Sequence, residues 1–186
     1  MALRADLPGL RRVLLDGWGS DRLAADLCAA LADRGRTPVH VPSRGFWRPA
    51  GERFTHGRED WQAYRDTWLD SAALRREVLG RDADYLPALW DVDRDRSARS
   101  NRQPFPDHAV VVVDGVFLQG LGLPADLTVH MALSPGALRR QGVDVWQLPA
   151  FTTYDEEVRP GDLADVLVRA EDPVRPAVRW RPYTSR

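Results

Sequence analysis

The chain has 186 residues, a length that suits one domain able to bury a core without disulfides or metals. Its 26 basic and 27 acidic residues nearly cancel, which argues against nucleic acid or an anionic membrane as a partner and favours a small-molecule ligand. The single cysteine excludes a disulfide framework and a thiolate metal cluster, and no apolar segment approaches the roughly 18 residues of a membrane span, so we expect a cytoplasmic protein.

Five strands are predicted in chain order. Residues 12–17 form a short apolar segment that ends in a glycine turn, and residues 38–42 are a second strand. Residues 109–115 are continuously apolar and β-branched, which is typical of a strand buried on both faces of a parallel sheet. Segments 127–133 and 164–168 are predicted as the fourth and fifth strands.

Helical periodicity appears in two segments between the strands. In residues 21–34 and 59–79, apolar side chains recur at spacings of three and four and therefore share one helical face. A polar stretch near residues 91–108 predicts a loop or flap over a site. Strands that alternate with helices predict a single α/β domain over residues 1–186, with a doubly wound, mostly parallel five-stranded sheet and helices on both faces.

In such a sheet ligands bind beyond the carboxyl ends of the strands, so the junctions after the strands carry the functional signal. These junctions hold Asp-Gly at 16–17, Phe-Trp-Arg-Pro at 46–49 and Val-Asp-Gly-Val-Phe at 113–117. Together with segments 148–151 and 154–158, they resemble the uridine-kinase-like P-loop nucleoside kinases, and also pantothenate kinase and phosphoribulokinase. The resemblance covers nearly the whole chain and implies a P-loop NTPase-like fold.

The resemblance implies a phosphate loop, G-x-x-x-x-G-K-[ST], whose backbone N–H groups and lysine hold phosphate and whose hydroxyl holds magnesium. Here Gly17 to Gly19 is about three residues shorter, and Ser20 and Asp21 replace Lys and Ser/Thr. All 26 basic residues are arginine, so no lysine elsewhere can substitute. The guanidinium of Arg22 suits a tight cradle poorly, and Asp21 is expected to cap the helix and repel phosphate. We therefore predict a degenerate Walker A motif.

The resemblance also implies an Asp-Asp-Phe segment after strand two, whose aspartate accepts the proton of the attacking hydroxyl. Arg44 and Gly45 stand before Phe46 instead, so this general base is absent. Asp114 survives at the end of strand three, where the family has an acidic residue near magnesium or in the nucleotide site. The alternative for Asp114 is a turn-capping role.

Trp18 and Trp47 stand at the two places where chemistry was lost. They either fill the vacated space or line an aromatic pocket that stacks a ring or a cation. The resemblance places the remaining candidates in segments that contact the acceptor or follow the lid, while a solvated charged surface is the alternative for most of them. The candidate catalytic residues are Asp114, Arg53 and His56, and the candidate ligand-binding residues are Trp18, Asp21, Arg22, Arg44, Trp47, Arg58, Asp91, Arg96 and Tyr154.

Three functions remain open. The favoured one is a repurposed protein that binds or transforms a small nucleoside-like or natural-product ligand in the former acceptor cleft, without ATP. The second is an unusual active kinase that uses Arg22 and Asp114 with ATP and magnesium. The third is a non-catalytic pseudokinase that acts as a protein partner. No metal site is predicted, no cofactor is expected outside the second alternative, and a homodimer is left open.

Overall fold

The computed structural model describes residues 9–172 and 175–181 of the chain. The strands are β1 (Arg11–Asp16), β2 (Thr37–Pro42), β3 (Asp84–Tyr85), β4 (Trp90–Asp91), β5 (Arg96–Ser97), β6 (Gln103–Pro104), β7 (Ala109–Gly115), β8 (Leu127–Ala132), β9 (Val166–Arg169) and β10 (Ala177–Trp180). The helices are α1 (Ser20–Ala32), α2 (Ala50–Arg53), α3 (Trp61–Asp66), α4 (Ser71–Leu74), α5 (Pro135–Arg140), α6 (Leu148–Glu157) and α7 (Pro160–Leu163). Two 3₁₀ turns cover Ser43–Phe46 and Val145–Gln147, and a π-helical turn over Arg75–Leu79 continues α4.

Six strands form the central sheet, in the order β10-β9-β8-β1-β7-β2. The five predicted strands are all present and run parallel to one another, which confirms the predicted fold class. The sixth strand, β10, was not predicted. It pairs antiparallel with β9 at one edge of the sheet.

Both faces of the sheet are covered because successive side chains of a strand point to opposite sides. In β1, Val13 and Leu15 pack in a cluster with apolar residues of α1. Leu14 lies between them and packs on the other face, with residues of α4 and the π-helical turn such as Leu74 and Val78. A third apolar cluster lies beyond the carboxyl ends of the strands and contains most of the aromatic residues described below. None of the described helices is long and apolar enough to cross a membrane.

The helix predicted over residues 59–79 is broken into α3, α4 and the π-helical turn. The interruption has a tertiary cause, because the backbone between α3 and α4 bonds to the turn after β2. Arg48 N donates to the carbonyl of Trp68 at 2.8 Å, and Asp70 N donates to the carbonyl of Phe46 at 2.9 Å. The side chain of Asp70 then accepts from Ala73 N and starts α4. The apolar periodicity is therefore present, but the helix is not continuous.

The polar segment near 91–108 takes part in two short strand pairs. β4 pairs antiparallel with β5, and β6 pairs antiparallel with β3, which precedes the segment. The rings of Tyr85 and Phe105 stack beside the second pair with centroids 4.8 Å apart. Leu89 N donates to the carbonyl of Gly45, which ties this segment to the turn after β2. The segment therefore lies next to the carboxyl edge of the sheet.

Candidate functional site

The carboxyl ends of β2 and β7 and the turn after β1 border a cavity of ≈ 400 Å³, at the edge where an open parallel sheet generally binds its ligand. We call it the central cavity. Six candidate residues line it: Trp18, Asp21, Arg22, Arg44, Trp47 and Asp114. Ser20, which stands where the resemblance implies a lysine, also lines the cavity. Other lining residues, which were not among the candidates, include His40, Ser43, Tyr64 and Gln141.

The turn after β1 is short. It consists of Gly17, Trp18 and Gly19, after which α1 begins directly. Gly17 has a φ of +113°, and a Cβ there would lie 2.6 Å from the carbonyl oxygen of Met131, so only glycine fits. Its N–H donates to the carbonyl of Gly115 at 2.8 Å. The chain therefore passes from β1 to α1 without a loop that could wrap around a bound group.

The first turn of α1 differs from the expectation at Asp21. The N-cap of α1 is Gly19 in the left-handed conformation, with no side-chain hydrogen bond at the cap, so the expectation that Asp21 caps the helix is wrong. Asp21 is exposed and lies two residues after Gly19, next to Arg22 in the sequence. The buried hydroxyl of Ser20 accepts from the N–H of Gly115 at 3.2 Å and ties α1 to β7. Ser20 thus faces the sheet in the position where the resemblance implies a lysine.

Trp18 forms a wall between the central cavity and a smaller one. Its Nε1 donates to the carbonyl of Gln141 at 3.3 Å, and its ring meets Phe151 edge-on with centroids 6.3 Å apart. The small cavity, with room for about one water molecule, is lined by Trp18 together with His130, Tyr154 and others. Trp18 therefore lines both cavities.

Trp47 borders the opposite side of the central cavity and belongs to an aromatic cluster. Its ring lies 5.2 Å from Trp68 and 6.3 Å from Tyr64, both in edge-to-face geometry. The Arg44 guanidinium lies 5.6 Å from the Trp47 ring centroid and donates two hydrogen bonds to Asp93, at 2.7 and 2.9 Å. The bond to Asp93 raises the pKa of Arg44 above its ordinary value. Arg44 thus carries a fixed positive charge at the position where the resemblance implies a base.

The two candidate catalytic residues Arg53 and His56 lie away from the central cavity lining. Arg53 is buried, its Nε donates to the carbonyl of Arg48 at 2.8 Å, and its guanidinium lies 5.1 Å from the ring centroid of Trp68. Burial lowers the pKa of Arg53. These contacts give Arg53 a packing role in the aromatic cluster. His56 is exposed on the turn after α2.

Four candidate binding residues also lie outside the central cavity lining. Arg58 is exposed and lies over the ring of Phe54, at 4.9 Å from its centroid. Asp91 pairs with Arg94 at 3.0 Å, and the Arg94 hydrogen bond lowers the pKa of Asp91. Arg96 is exposed on β5. The fourth, Tyr154, lines the small cavity instead.

His40 and Asp114 form a hydrogen-bonded pair in the lining of the central cavity. The Nε2 of His40 lies 2.5 Å from Oδ1 of Asp114; the Asp114 side chain is 9% exposed and the His40 side chain 35%. The hydrogen bond that His40 donates to Asp114 raises the pKa of His40, partial burial opposes this, and the charges of Asp114 and Asp21 add to the rise. The sequence does contain a signal for His40. This histidine stands between two valines in β2, close to the carboxyl end of the strand, where a polar side chain interrupts the apolar pattern.

A second polar network is fully buried beneath Trp18. Asp16, at the end of β1, accepts hydrogen bonds from Leu118 N at 2.8 Å and from the Tyr154 hydroxyl at 2.9 Å. Nδ1 of His130 lies 2.8 Å from the same carboxylate. Burial, together with the charge of Asp16, raises the pKa of Tyr154. This network connects β1, β8 and α6, and its His130 and Tyr154 side chains line the small cavity.

No protein-family model matches the chain, and no curated protein matches it in sequence. Solved structures do match it. A "possible uridine kinase" from Bacillus stearothermophilus superposes with a TM-score of 0.69 at 21% identity, over 86% of this chain and 88% of that one. A protein assigned as a fructose transport system kinase from Silicibacter sp. TM1040 superposes with a TM-score of 0.57 at 18% identity, over 88% and 89%. The chain therefore has the fold of the uridine-kinase-like P-loop kinases, which confirms the expected resemblance at the level of fold.

Proposed function

We propose that this chain, on the fold it shares with those kinases, binds a small polar molecule that carries a ring, nucleoside-like or a natural product, in the central cavity without ordinary ATP-dependent phosphoryl transfer. One observation carries the proposal. The cavity that borders the short turn after β1 has aromatic walls and a histidine–aspartate pair, in place of the cradle that a phosphate needs. Catalysis on the bound molecule is left open at this stage.

The case against ordinary phosphoryl transfer rests on the turn after β1 and on the position of Arg44. A phosphate cradle needs several backbone N–H groups around the anion and a compact cation that reaches it. The turn has three residues, its first N–H is used by Gly115, and the chain contains no lysine. Arg44 replaces the expected base with a cation that cannot accept a proton. Losing one such group typically costs about 10²-fold or more in rate, which supports a degenerate Walker A motif and a changed function.

The case for a ring-bearing ligand rests on the walls and size of the central cavity. A volume of ≈ 400 Å³ lies within the usual range of small-molecule sites. Trp18, Trp47 and Tyr64 provide aromatic surfaces on which a planar ring can stack. Asp114 and His40 provide an acceptor and a titratable group for ligand hydroxyls or amides. A nucleoside-like molecule has both the ring and the hydroxyls that this lining fits.

Arg22 gives the active-kinase alternative its specific support. It lines the central cavity at the start of α1, and no ion pair of its side chain is found in the described part of the chain. Asp114 lines the same cavity and could bind magnesium through the nucleotide, since magnesium sites often use one or two carboxylates plus phosphates. In this alternative Arg22 would take the place of the lysine, although its wide planar guanidinium fits a tight phosphate cradle less well than a compact ammonium group does.

Thermal shift measurements distinguish the proposed ligand binding from the active-kinase alternative. A ligand that fills the cavity stabilises the protein by about 2.7 kcal/mol at a hundredfold excess over its Kd. We expect a shift with members of a nucleoside panel and none with ATP and magnesium at millimolar concentration. Trp47→Ala should abolish the nucleoside-induced shift, and Trp47→Phe, which keeps a ring, should retain part of it. Trp180→Ala is the matched control because Trp180 lies on β10, at the edge of the sheet.

The shift is compared within each variant, since Trp47→Ala also removes packing against Trp68. A nucleoside-induced shift that survives Trp47→Ala would contradict the proposed site. A shift by ATP and magnesium that Arg22→Ala abolishes would favour the active kinase. A stable complex with another protein and no response to either panel would favour the pseudokinase.

A further inference from the structure

Of the polar groups that line the central cavity, His40 is the one with a fixed hydrogen bond on one ring nitrogen and an unused second nitrogen. Its Nε2 is bonded to Asp114, and no partner for its Nδ1 is found among the residues that the structure describes. His40 still has about a third of its side-chain surface exposed and lines the central cavity. A histidine held in this way resembles a proton-transfer residue more than a structural one.

The hydrogen bond to Asp114 determines which nitrogen of His40 carries the proton. A carboxylate only accepts hydrogen bonds, so Nε2 is the donor in both the neutral and the charged ring. Neutral His40 therefore has its lone pair on Nδ1, and protonated His40 has an additional proton there. The nitrogen that gains and loses the proton is the one without a protein partner.

We propose that His40 is the proton-transfer residue of the central cavity, with Asp114 as the group that positions it. When neutral, His40 accepts a proton at Nδ1 from an O–H or N–H of the ligand; the ligand's bond to hydrogen breaks and its electron pair stays on the ligand atom. When protonated, His40 returns the proton from Nδ1 to a ligand oxygen or nitrogen. No further reactant is needed for this step. The inference rests on the proposed function, because the proton donor or acceptor is the cavity ligand.

The surrounding charges favour the protonated form of His40. Asp114 on β7 and Asp21 on α1 both raise the pKa of His40. Other charged or titratable groups on the elements around it are Arg22, Asp26 and Cys28 on α1 and Arg44 after β2. Arg44 is paired with Asp93, and burial raises the pKa of Cys28, which leaves the thiol neutral. The carboxylates of Asp114 and Asp21 are therefore the principal groups that hold the proton on His40.

This position is distinct from that of the base expected from the resemblance. The expected aspartate would stand at Arg44, in the turn after β2, whereas His40 lies within β2 itself, in register with Val112 of β7. The side chain reaches Asp114, two residues further along β7. The pair thus places an acid–base group from the sheet in a cavity where the turn after β2 has Arg44 in place of the expected aspartate.

Chemical modification of the four histidines tests the inference without a known ligand. Diethyl pyrocarbonate acylates the neutral imidazole, and the pH dependence of labelling at each residue, followed by mass spectrometry, gives its pKa. His56 and His108 are exposed internal references, and buried His130 is a negative control. We expect His40 to titrate above its ordinary value of 6.5 and Asp114→Asn to lower its pKa. A wild-type pKa at or below 6.5, or no change in Asp114→Asn, would overturn the inference.

Two further measurements complete the test. A long-range ¹H–¹⁵N spectrum at high pH should show neutral His40 protonated on Nε2, and the opposite tautomer would overturn the proposal. A nucleoside that shifts the melting temperature should slow the labelling of His40 several-fold while His56 is unaffected. Binding that leaves the labelling of His40 unchanged would refute the proton-transfer role but not the ligand site. Failure of every nucleoside to bind would instead refute the proposed function and, with it, the role that rests on it.

Discussion

Replacing Asp16 by alanine tests the buried network most directly. The carboxylate of Asp16 is fully buried, at 0% exposure, and three groups converge on it: Leu118 N, the Tyr154 hydroxyl and the His130 ring. In Asp16→Ala, Leu118 N and the His130 ring lose this acceptor while they remain buried, and the Tyr154 hydroxyl keeps only the carbonyl of Gln119, at 3.3 Å. We therefore expect a large loss of stability from one substitution.

The size of the loss follows from the number of stranded groups. A buried donor left without an acceptor costs about 1–3 kcal/mol, and removal of one partner from a buried charged network typically costs about 3–5 kcal/mol in total. For a chain of this length, that corresponds to a fall in Tm of about 6–20 °C. Tyr154→Phe removes a single hydroxyl of the same network and should cost about 1–3 kcal/mol.

Urea unfolding followed by tryptophan fluorescence and circular dichroism measures both variants. The matched control is Asp66→Ala, since Asp66 is exposed and bonds only to its neighbour Arg65 among the contacts described. Exposed pairs of this kind contribute about 0–1 kcal/mol. If Asp16→Ala lowered the free energy of unfolding by no more than Asp66→Ala, the network would not be the stabilising element that we infer. Should Asp16→Ala fail to fold, Tyr154→Phe still provides the comparison.

Two further predictions concern backbone packing and pH. Gly115→Ala would place a Cβ 3.0 Å from the Cβ of Ser43 and closer still to the Ser43 hydroxyl, so the free energy of unfolding in urea should fall by about 1–3 kcal/mol. The control is Gly51→Ala, whose Cβ meets no atom within 4 Å. It should be neutral or stabilise the protein by about 0.4–1 kcal/mol. Equal effects of the two would contradict the close contact. Because the pKa of His40 is raised in the folded state, its contribution to stability is present in full below its ordinary value of 6.5 and is lost as the pH rises through the raised value. Unfolding between about pH 6 and pH 9 should therefore show a steeper decline for wild type than for His40→Gln or Asp114→Asn, and parallel curves would refute the linkage.

The predictable part of the fold came from local patterns. The apolar, β-branched run at 109–115 formed β7 with the same bounds, because such a run is stable only when both faces of the strand are covered. The helix predicted over 59–79 failed at 67–70, where backbone groups bond to the turn after β2 instead of continuing the helix. Periodicity reports which side chains are apolar, and it cannot report which backbone groups find a distant partner.

Part of the candidate site was also predictable from local patterns. Trp18, Trp47 and Asp114 were expected at strand junctions, and those junctions do meet at one edge of the sheet. Arg53 was a candidate catalytic residue. Its side chain is buried among aromatic rings, and a charged residue near a helix end gives no sign of such burial in the sequence. His40 was not singled out, because a histidine within a strand has no chemical meaning until its neighbour across the sheet is known.

From the sequence alone, three properties of this protein were determined: the alternation of strands and helices, the short turn after the first strand, and the absence of lysine from the entire chain. Each is a property of neighbouring residues or of composition. The tertiary structure alone decided that His40 pairs with Asp114, 74 residues away, and that Tyr154 bonds to Asp16 across 138 residues. The reason is physical: parallel strands bring distant segments side by side, and the register of β1, β2 and β7 selects which polar side chains meet. The short turn after β1 was visible in the sequence, but the hydrogen-bonded pair of His40 and Asp114 beside it emerged only from the folded sheet.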